Sequence, residues 1–362
     1  MKKVGIVSLY GLYNYGNRLQ SYAAQEILRK LGFDTEVVYV EPISKTVKDI
    51  INNITRSSPL IKLKKNSNRS KAIINRKKAF LTFNDTFVKT RRFRSVDGIK
   101  GYDYYALGSD QVWNPQLYKG RDKELFMLTF TDNDKKICMA PSFGTDNVPA
   151  EWEDYFKRQL SSFPRLSVRE AAGADIIRKL TDREATVVID PTLMLSKDDW
   201  KKLSKKPKNI NTDEKFILRY FLGGTTEKAQ KDSDEAKKEL GDCPVYTLYS
   251  LKDLKAFGWG PSEFLYMFEH ASLIQTDSFH ACVFSFIFGR PFLLYSREGK
   301  HTDMLSRMET LFNTFDLKRK YVDSGLENDM FECDYSVGYA KLAQEREKAE
   351  RFLKESFGIM ER

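Results

Sequence analysis

The sequence predicts an α/β protein built from two units that meet across a cleft, and three observations carry that expectation. Strand-like and helix-like apolar patterns alternate along almost the whole chain. At 362 residues the chain is longer than one ordinary core supports, which favours two domains. The stretch 260–296 then shows the alternation at its clearest. A periodic helix (Phe264, Leu265, Phe268) runs into a short apolar strand (Leu273, Ile274), the strand stops at Thr276-Asp277-Ser278-Phe279-His280, an apolar helix follows, and Pro291 opens another strand.

The elements follow in order. Residues 4–9 read as a strand, 11–17 as a loop, 18–31 as a helix with Leu19, Ala23 and Ile27 on one face, and 35–40 as the next strand; Gly32 stops the helix. Further strands are expected at 104–107, 137–140, 166–168 and 185–189, the later ones separated by helices at about 151–162 and 172–180. A second series begins near Lys197 with a strand at 216–221, a helix at 226–240 and a strand at 244–248. The expected division is therefore 1–195 and 196–338, with a turn near 191–206 between them, and with 339–362 forming a charged helix that folds back over the junction.

Composition excludes several classes. There is no apolar run of about 20 residues, and the opening MKKVGIVSLYGLYNYG has neither the long apolar centre nor the small-residue cleavage site of a signal peptide, so a cytoplasmic protein is expected. Cys138, Cys243, Cys282 and Cys333 lie far apart without a CxxC pair, and His270, His280 and His301 lack metal-ligand spacing. Neither a zinc site nor a disulfide framework is expected. The net charge of +10 is concentrated locally: between 61 and 94 stand Lys62, Lys64, Lys65, Arg69, Lys71, Arg76, Lys77, Lys78, Lys89, Arg91, Arg92 and Arg94 against the single acid Asp85. That stretch reads as a mobile insertion or helical arm, spanning about 45–98, rather than a core element. It is either a solvated basic face or an attraction for an anionic substrate or the inner face of an anionic membrane. Specific nucleic-acid binding is not expected, because no recognition motif accompanies the charge.

Loops at strand ends supply the candidate site. His280 falls in the first turn of a helix that Asp277 or Ser278 can cap, where unpaired amides and the helix dipole favour an anion. The loop 11–17, with Asn14 and Asn17, joins the first strand to the first helix and can cradle an anion, but it lacks GxGxxG spacing, so a nicotinamide cofactor is not supported. Ser109, Asp110, Gln111 and Asn114 form a dense polar cluster after an apolar strand, with Trp113 either an aromatic face for sugar or a core residue. Arg169 ends another strand and either forks onto a carboxylate or phosphate or pairs on the surface with Glu170. Asp190-Pro191-Thr192 is expected to shape the turn between the units. Cys282 reads as core.

The motifs GNRLQSYAAQ (16–25), GSDQVWN (108–114), SVRE (167–170), IDPTLML (189–195) and TDSFHACVFSFIFGRPF (276–292) together resemble the polysaccharide pyruvyl transferase family. The likeness runs in order over most of the chain and is weakest over the basic stretch and the last helix; Ala281 stands where glycine is common. It implies a glycosyltransferase-B-like pair of Rossmann-like domains facing across a cleft. It also implies transfer of pyruvate from phosphoenolpyruvate, as a ketal, to sugar hydroxyls of a cell-surface polysaccharide or its lipid-linked precursor. By that resemblance His280 is catalytic and Arg169 is the arginine of the SVR motif, with Ser278 and Phe279 beside them. A further basic residue is expected after SFH, for which Arg290 and Arg297 both compete. The chemistry suits the residues: protonating an enol phosphate, stabilising charge, adding a hydroxyl and releasing phosphate needs one acid–base group and several cationic donors. No cofactor and no obligatory metal are expected. The alternatives are a nucleotide-sugar-dependent glycosyltransferase of the same fold and a non-catalytic polyanion-binding protein.

Overall fold

The computed structural model describes residues 1–9, 13–40, 68–118, 120–208, 210–211, 214–297, 305–325 and 329–359. Five strands, β1 (Lys3–Val7), β2 (Asp34–Val40), β3 (Thr90–Phe93), β4 (Tyr104–Leu107) and β5 (Lys136–Cys138), form one sheet in the order β3-β2-β1-β4-β5. Every pairing in it is parallel, with Ile6 opposite Val37 on one side and Ala106 on the other. A short parallel ladder, β6 (Ser167–Val168) with β7 (Thr186–Val187), continues from it: the Ala140 amide donates to Ser167 Oγ and the Arg169 amide to the Pro141 carbonyl, both at 3.3 Å. The second sheet, again parallel, has the order β11-β10-β8-β9, with β8 at Ile217–Tyr220, β9 at Val245–Leu248, β10 at Leu273–Thr276 and β11 at Phe292–Leu294. Parallel strands need crossovers, and the helices supply them. The longer ones are α1 (Tyr15–Lys30), α2 (Asn68–Phe87), α3 (Ala150–Ser161), α4 (Ala171–Thr181), α5 (Glu227–Leu240), α6 (Pro261–His270), α7 (Phe279–Phe288), α8 (Leu305–Phe315) and α9 (Ser336–Ser356). The fold is thus α/β with two Rossmann-like sheets, as expected.

Helix α1 starts earlier than its apolar periodicity suggests, because Asn14 caps it: the Asn14 side chain accepts from the Asn17 amide. Gly16 and Asn17 are therefore helical and not part of the preceding loop. Helix α7 is apolar on every side, and all ten of its residues are buried. The two sheets share a core around these helices. Tyr15 of α1 stacks on Phe264 of α6 with ring centroids 4.6 Å apart and donates its hydroxyl to the Trp259 carbonyl at 2.9 Å. Helix α9 spans the junction as well: Phe357 packs on Phe33 and Tyr104, while Arg346 donates to the carbonyls of Leu193 and Leu195.

The basic stretch behaves differently from its sequence reading. Lys62, Lys64 and Lys65 lie outside the described residues, but α2 is a helix whose inner face is core, with Phe80 and Phe83 buried. Thr90–Phe93 is the edge strand of the first sheet. Arg76 is 3% exposed and ties three places together, donating to the Tyr15 hydroxyl (2.7 Å), the Tyr13 carbonyl (2.6 Å) and the Phe257 carbonyl (3.2 Å). Its guanidinium also lies over the rings of Tyr15, Phe80, Tyr249 and Phe257. Lys89 pairs with Asp34 and Glu36. Among the described residues no helix is long and apolar enough to cross a membrane.

Arg76→Ala should therefore lower global stability by roughly 2–4 kcal/mol, through lost buried hydrogen bonds, ring contacts and a cavity. Urea unfolding followed by fluorescence measures it. An unchanged midpoint would place α2 outside the cooperative core.

Candidate active site

The site is built around one buried carboxylate. Asp190 follows β7 and starts a short helical turn, Pro191–Met194, by accepting the amide and hydroxyl of Thr192 on Oδ1 at 2.9 and 2.6 Å. Its other oxygen, Oδ2, accepts from Arg169 Nη1 at 2.7 Å and from Ser109 Oγ at 2.8 Å, and lies 3.8 Å from His280 Nε2. The carboxyl ends of β4, β6 and β7 and the first turn of α7, which follows β10, thus converge on one atom. Ends of parallel strands are where open α/β sheets bind ligands.

Neighbouring groups fix this constellation. The Arg169 guanidinium rests 4.3 Å above the Phe279 ring. Glu170, fully buried, accepts on Oε1 from Ser142 Oγ (2.7 Å) and from the amides of Phe143 (2.9 Å) and Gly144 (3.3 Å), so the loop after β5 is pinned beside Arg169. Its Oε2 lies 3.7 Å from Arg169 Nε. Gly16 has no room for a side chain: a Cβ there would sit 2.1 Å from His280 Nδ1, so the first turn of α1 is the wall against which the imidazole packs. Arg307 of α8 is buried in the same field.

The charges shape one another. Burial alone would raise the Asp190 carboxyl, but Arg169, His280 and the Thr192 hydrogen bonds hold it down at about 2. Burial pulls His280 below the ordinary imidazole range, with Asp190 and Asp110 opposing and Arg169 and Arg307 assisting, so the ring is neutral at neutral pH. Burial, and after it Arg169, bring Arg307 down to about 10 against the opposing pull of Glu170 and Asp110. Arg169 itself is raised: burial opposes its charge, and Asp190, Glu170 and Asp110 outweigh that penalty. Among the described residues His280 Nε2 and Arg169 Nε and Nη2 have no hydrogen-bond partner. Ser278, at the N-cap of α7, makes no side-chain cap bond, which leaves the first amides of that helix uncapped by it.

The other expected residues are dispersed around this centre. Asp110, with a positive φ of 76°, accepts the Gln111 amide and carries its charge toward His280 and Arg169. Gln111 packs against Gly144, where no Cβ fits. Asn114 caps the Pro115–Leu117 turn by accepting from the Gln116 amide at 3.1 Å, and Trp113 is core, fully buried against Phe143 and Phe163; it has no aromatic face to offer a sugar. Asn14 serves as the α1 cap, and Asn17 is buried in the first turn. The Ser278 amide donates to Thr276 Oγ1. Arg297 donates through Nε to Asp277 Oδ2 at 3.0 Å, on the His280 side of the sheet, and Asp277 also accepts the amides of Leu222 and Gly223 at 2.7 Å. Arg290 follows the opposite end of α7, whose ten residues put about 15 Å between it and the His280 turn.

Sequence reasoning missed Asp190, Glu170, Arg307 and Gly16 as parts of the site. Asp190 reads as a turn former because Pro191 follows it, and it does form the turn, but only one of its oxygens is used there. The alternative reading of Arg169 as a surface partner of Glu170 fails on burial: the two lie side by side, but both are wholly buried.

The fold and the site define an α/β protein with a buried cluster of arginines and carboxylates beside a neutral histidine at the ends of its strands. The chain belongs to the polysaccharide pyruvyl transferase family, whose model matches residues 14–299. No curated protein matches it. Solved structures similar to it include a putative UDP-N-acetylglucosamine 2-epimerase from Listeria monocytogenes, at 12% identity over 98% of this chain and 90% of that one, with a TM-score of 0.46. A glycosyltransferase from Rickettsia africae is 10% identical over 98% of each chain, with a TM-score of 0.43. The wall teichoic acid polymerase TagF is 11% identical over 99% and 90%, with a TM-score of 0.45.

Asp190→Asn should leave Arg169 with only the more distant Glu170 and Asp110 as counter-charges and cost about 3–5 kcal/mol of stability at neutral pH. Because the folded carboxyl titrates below its ordinary value, the aspartate's advantage is complete above about pH 4 and shrinks as pH falls toward about 2. Denaturation of both proteins from pH 7 to pH 3 checks this, and a gap that widens on acidification would contradict it.

Proposed function

We propose that this site transfers pyruvate from phosphoenolpyruvate to a pair of sugar hydroxyls, forming a cyclic ketal on a polysaccharide or its lipid-linked precursor at the cytoplasmic side of the membrane. The observation that supports it most is the grouping of Arg169, Arg307 and neutral His280 around the uncapped start of α7. A small, dense polyanion can take up the unused Arg169 Nε and Nη2 donors and the first amides of that helix, since the paired N–H donors of arginine match a carboxylate or phosphate.

The roles follow from the electrostatics. Bound donor brings negative charge beside His280 and raises its pKa, which turns a neutral ring into an imidazolium. That imidazolium gives its proton to the methylene carbon of the donor, and the adjacent carbon, now electron-poor, is attacked by the first hydroxyl. The hydroxyl proton passes to His280. The bond from that carbon to the phosphate oxygen then breaks, phosphate leaves with the proton from His280, and the second hydroxyl closes the ketal while its proton restores the imidazolium. Arg169 and Arg307 hold the donor's carboxylate and phosphate, and Asp190 keeps Arg169 and the imidazole in register. In this reading the guanidinium groups carry the charge that a divalent ion would otherwise supply, so activity is expected to survive dialysis against EDTA.

Phosphate release from phosphoenolpyruvate in the presence of aryl glycosides tests the reaction. His280→Asn should lower kcat by about 10²–10⁴-fold with donor binding largely kept, whereas Arg169→Lys should weaken donor binding as well, since a point charge replaces the planar fork. A folded His280→Asn variant with near-native turnover would remove His280 from the chemistry. Thermal stabilisation by nucleotide sugars but not by phosphoenolpyruvate would overturn the donor assignment.

A further inference from the structure

Away from the Asp190 cluster, a broad groove opens at the carboxyl end of the second sheet, between the start of α5 and the edge strand β9. Thr225, Thr226 and Gln230 line one wall, Thr247 and the loop carrying Lys252 and Lys255 the other, and Arg219 of β8 forms part of the floor. Arg219 is 7% exposed and makes no ion pair among the described residues. Its hydrogen bonds all go to neutral acceptors: Nε to Gln275 Oε1 at 2.9 Å and Ser233 Oγ at 3.2 Å, Nη1 to Gln230 Oε1 at 2.9 Å, and Nη2 to Ser233 Oγ and the Ala229 carbonyl. A guanidinium has five N–H groups, and this set leaves one hydrogen of Nη1 over. Buried charge is normally matched by an opposite charge. Here the fixed network presents a cation to a groove with two lysines on its rim. Of the acids nearby, Asp253 is engaged on both oxygens by the amides of Thr247 and Ala256, Glu227 is exposed, and Asp234, which acts on Arg219 without bonding it, accepts from Gln230 Nε2 at 3.1 Å.

The groove is joined to the catalytic centre by one short loop. The amides of Leu222 and Gly223 are held by Asp277, two residues before Phe279, while Thr225 of the same loop lines the groove. Leu222 and Thr225 are three residues apart, so that loop spans at most about 11 Å.

We propose that this groove binds a phosphate or diphosphate group carried by the acceptor, one or two sugar units from the hydroxyls that receive pyruvate. The inference rests on the pyruvyl-transfer reading. The acceptor's phosphate sits against Arg219 and the two lysines, its sugar crosses the loop 221–226, and its hydroxyls reach the donor beside His280. The same phosphate chemistry can come from a sugar phosphate or from the diphosphate of a lipid carrier, and the acceptors used below separate the two.

The test compares the full-length protein with Lys252→Glu/Lys255→Glu, two exposed positions outside the catalytic machinery, and with Arg219→Gln. Acceptors are a neutral aryl glycoside, the matching sugar 1-phosphate and a short-chain polyprenyl diphosphate sugar. The lysine variant should raise KM for the phosphorylated acceptors about tenfold or more at low salt, less at high salt, and leave KM for phosphoenolpyruvate and turnover of the neutral glycoside unchanged. Equal loss on both phosphorylated acceptors assigns the groove to a single phosphate; loss on the diphosphate alone assigns it to a carrier. Inorganic pyrophosphate should compete with the phosphorylated acceptor and not with phosphoenolpyruvate. Wild-type KM values for phosphorylated acceptors in a folded lysine variant would overturn the proposal, and so would pyrophosphate competing only with the donor. Absence of phosphate release with any acceptor, including the neutral one, would instead count against pyruvyl transfer itself. If Arg219→Gln unfolds, the lysine variant still decides.

Discussion

The ion pair between Asp190 and Arg169 is the interaction on which the rest of the site depends. The Arg169 guanidinium is buried with its charge matched, Asp190 meeting it at 2.7 Å with almost no exposure of either side chain. The same carboxylate takes the Ser109 hydroxyl and stands beside His280, so it joins three strand ends and a helix start. Its second oxygen fixes the turn that leads out of the first unit. One residue therefore sets both the geometry and the charge of the cluster, and its strong depression toward about 2 is the electrostatic record of that role.

Around that pair three helices, α7, α1 and α2, hold the site in place. Helix α7 brings His280 into place because its apolar length has nowhere to go but the interior, and its first turn is left uncapped by side chains. Helix α1 brings Gly16, which clears the space that the imidazole fills. Arg76, reaching across from α2, ties Tyr13 and Tyr15 just ahead of Gly16 to Phe257 of the second unit, so the wall behind His280 is braced from the far side of the junction. The two sheets do not merely touch at a cleft: they share the aromatic core in which Tyr15, Phe264 and Tyr220 pack together.

Much of the fold was legible in the sequence, because parallel strands buried on both faces read as short apolar runs and their crossovers as periodic helices. His280 and Arg169 were legible for the same reason, each being a polar residue placed where an apolar strand or its turn ends. Strand β3 was hidden because only Phe93 of its four residues is buried, and Arg91 and Arg92 between them read as part of a charge run. Arg76 was hidden in the same run, since one basic residue among many gives no hint that it faces inward. Asp190 carried a local signal, the turn with Pro191 and Thr192, that concealed a long-range one: its pairing with Arg169, 21 residues earlier, exists only once β6 and β7 lie side by side. Arg307 had no strand end to mark it, and its place in the cluster is set by the packing of α8 against α4. Local pattern finds elements and their ends, whereas charge pairing inside a core is a property of the assembled chain.

In the proposed mechanism the cluster holds His280 neutral until a polyanion arrives. The most direct measurement is an NMR titration of the histidine ring resonances with and without phosphoenolpyruvate. The chain has three histidines, so comparison with the His280→Asn spectrum identifies the signal. His280 should titrate below the ordinary 6.5 in the free protein and clearly higher when the donor is present. A free-protein value at or above 6.5, or a titration curve that phosphoenolpyruvate leaves in place, would contradict it.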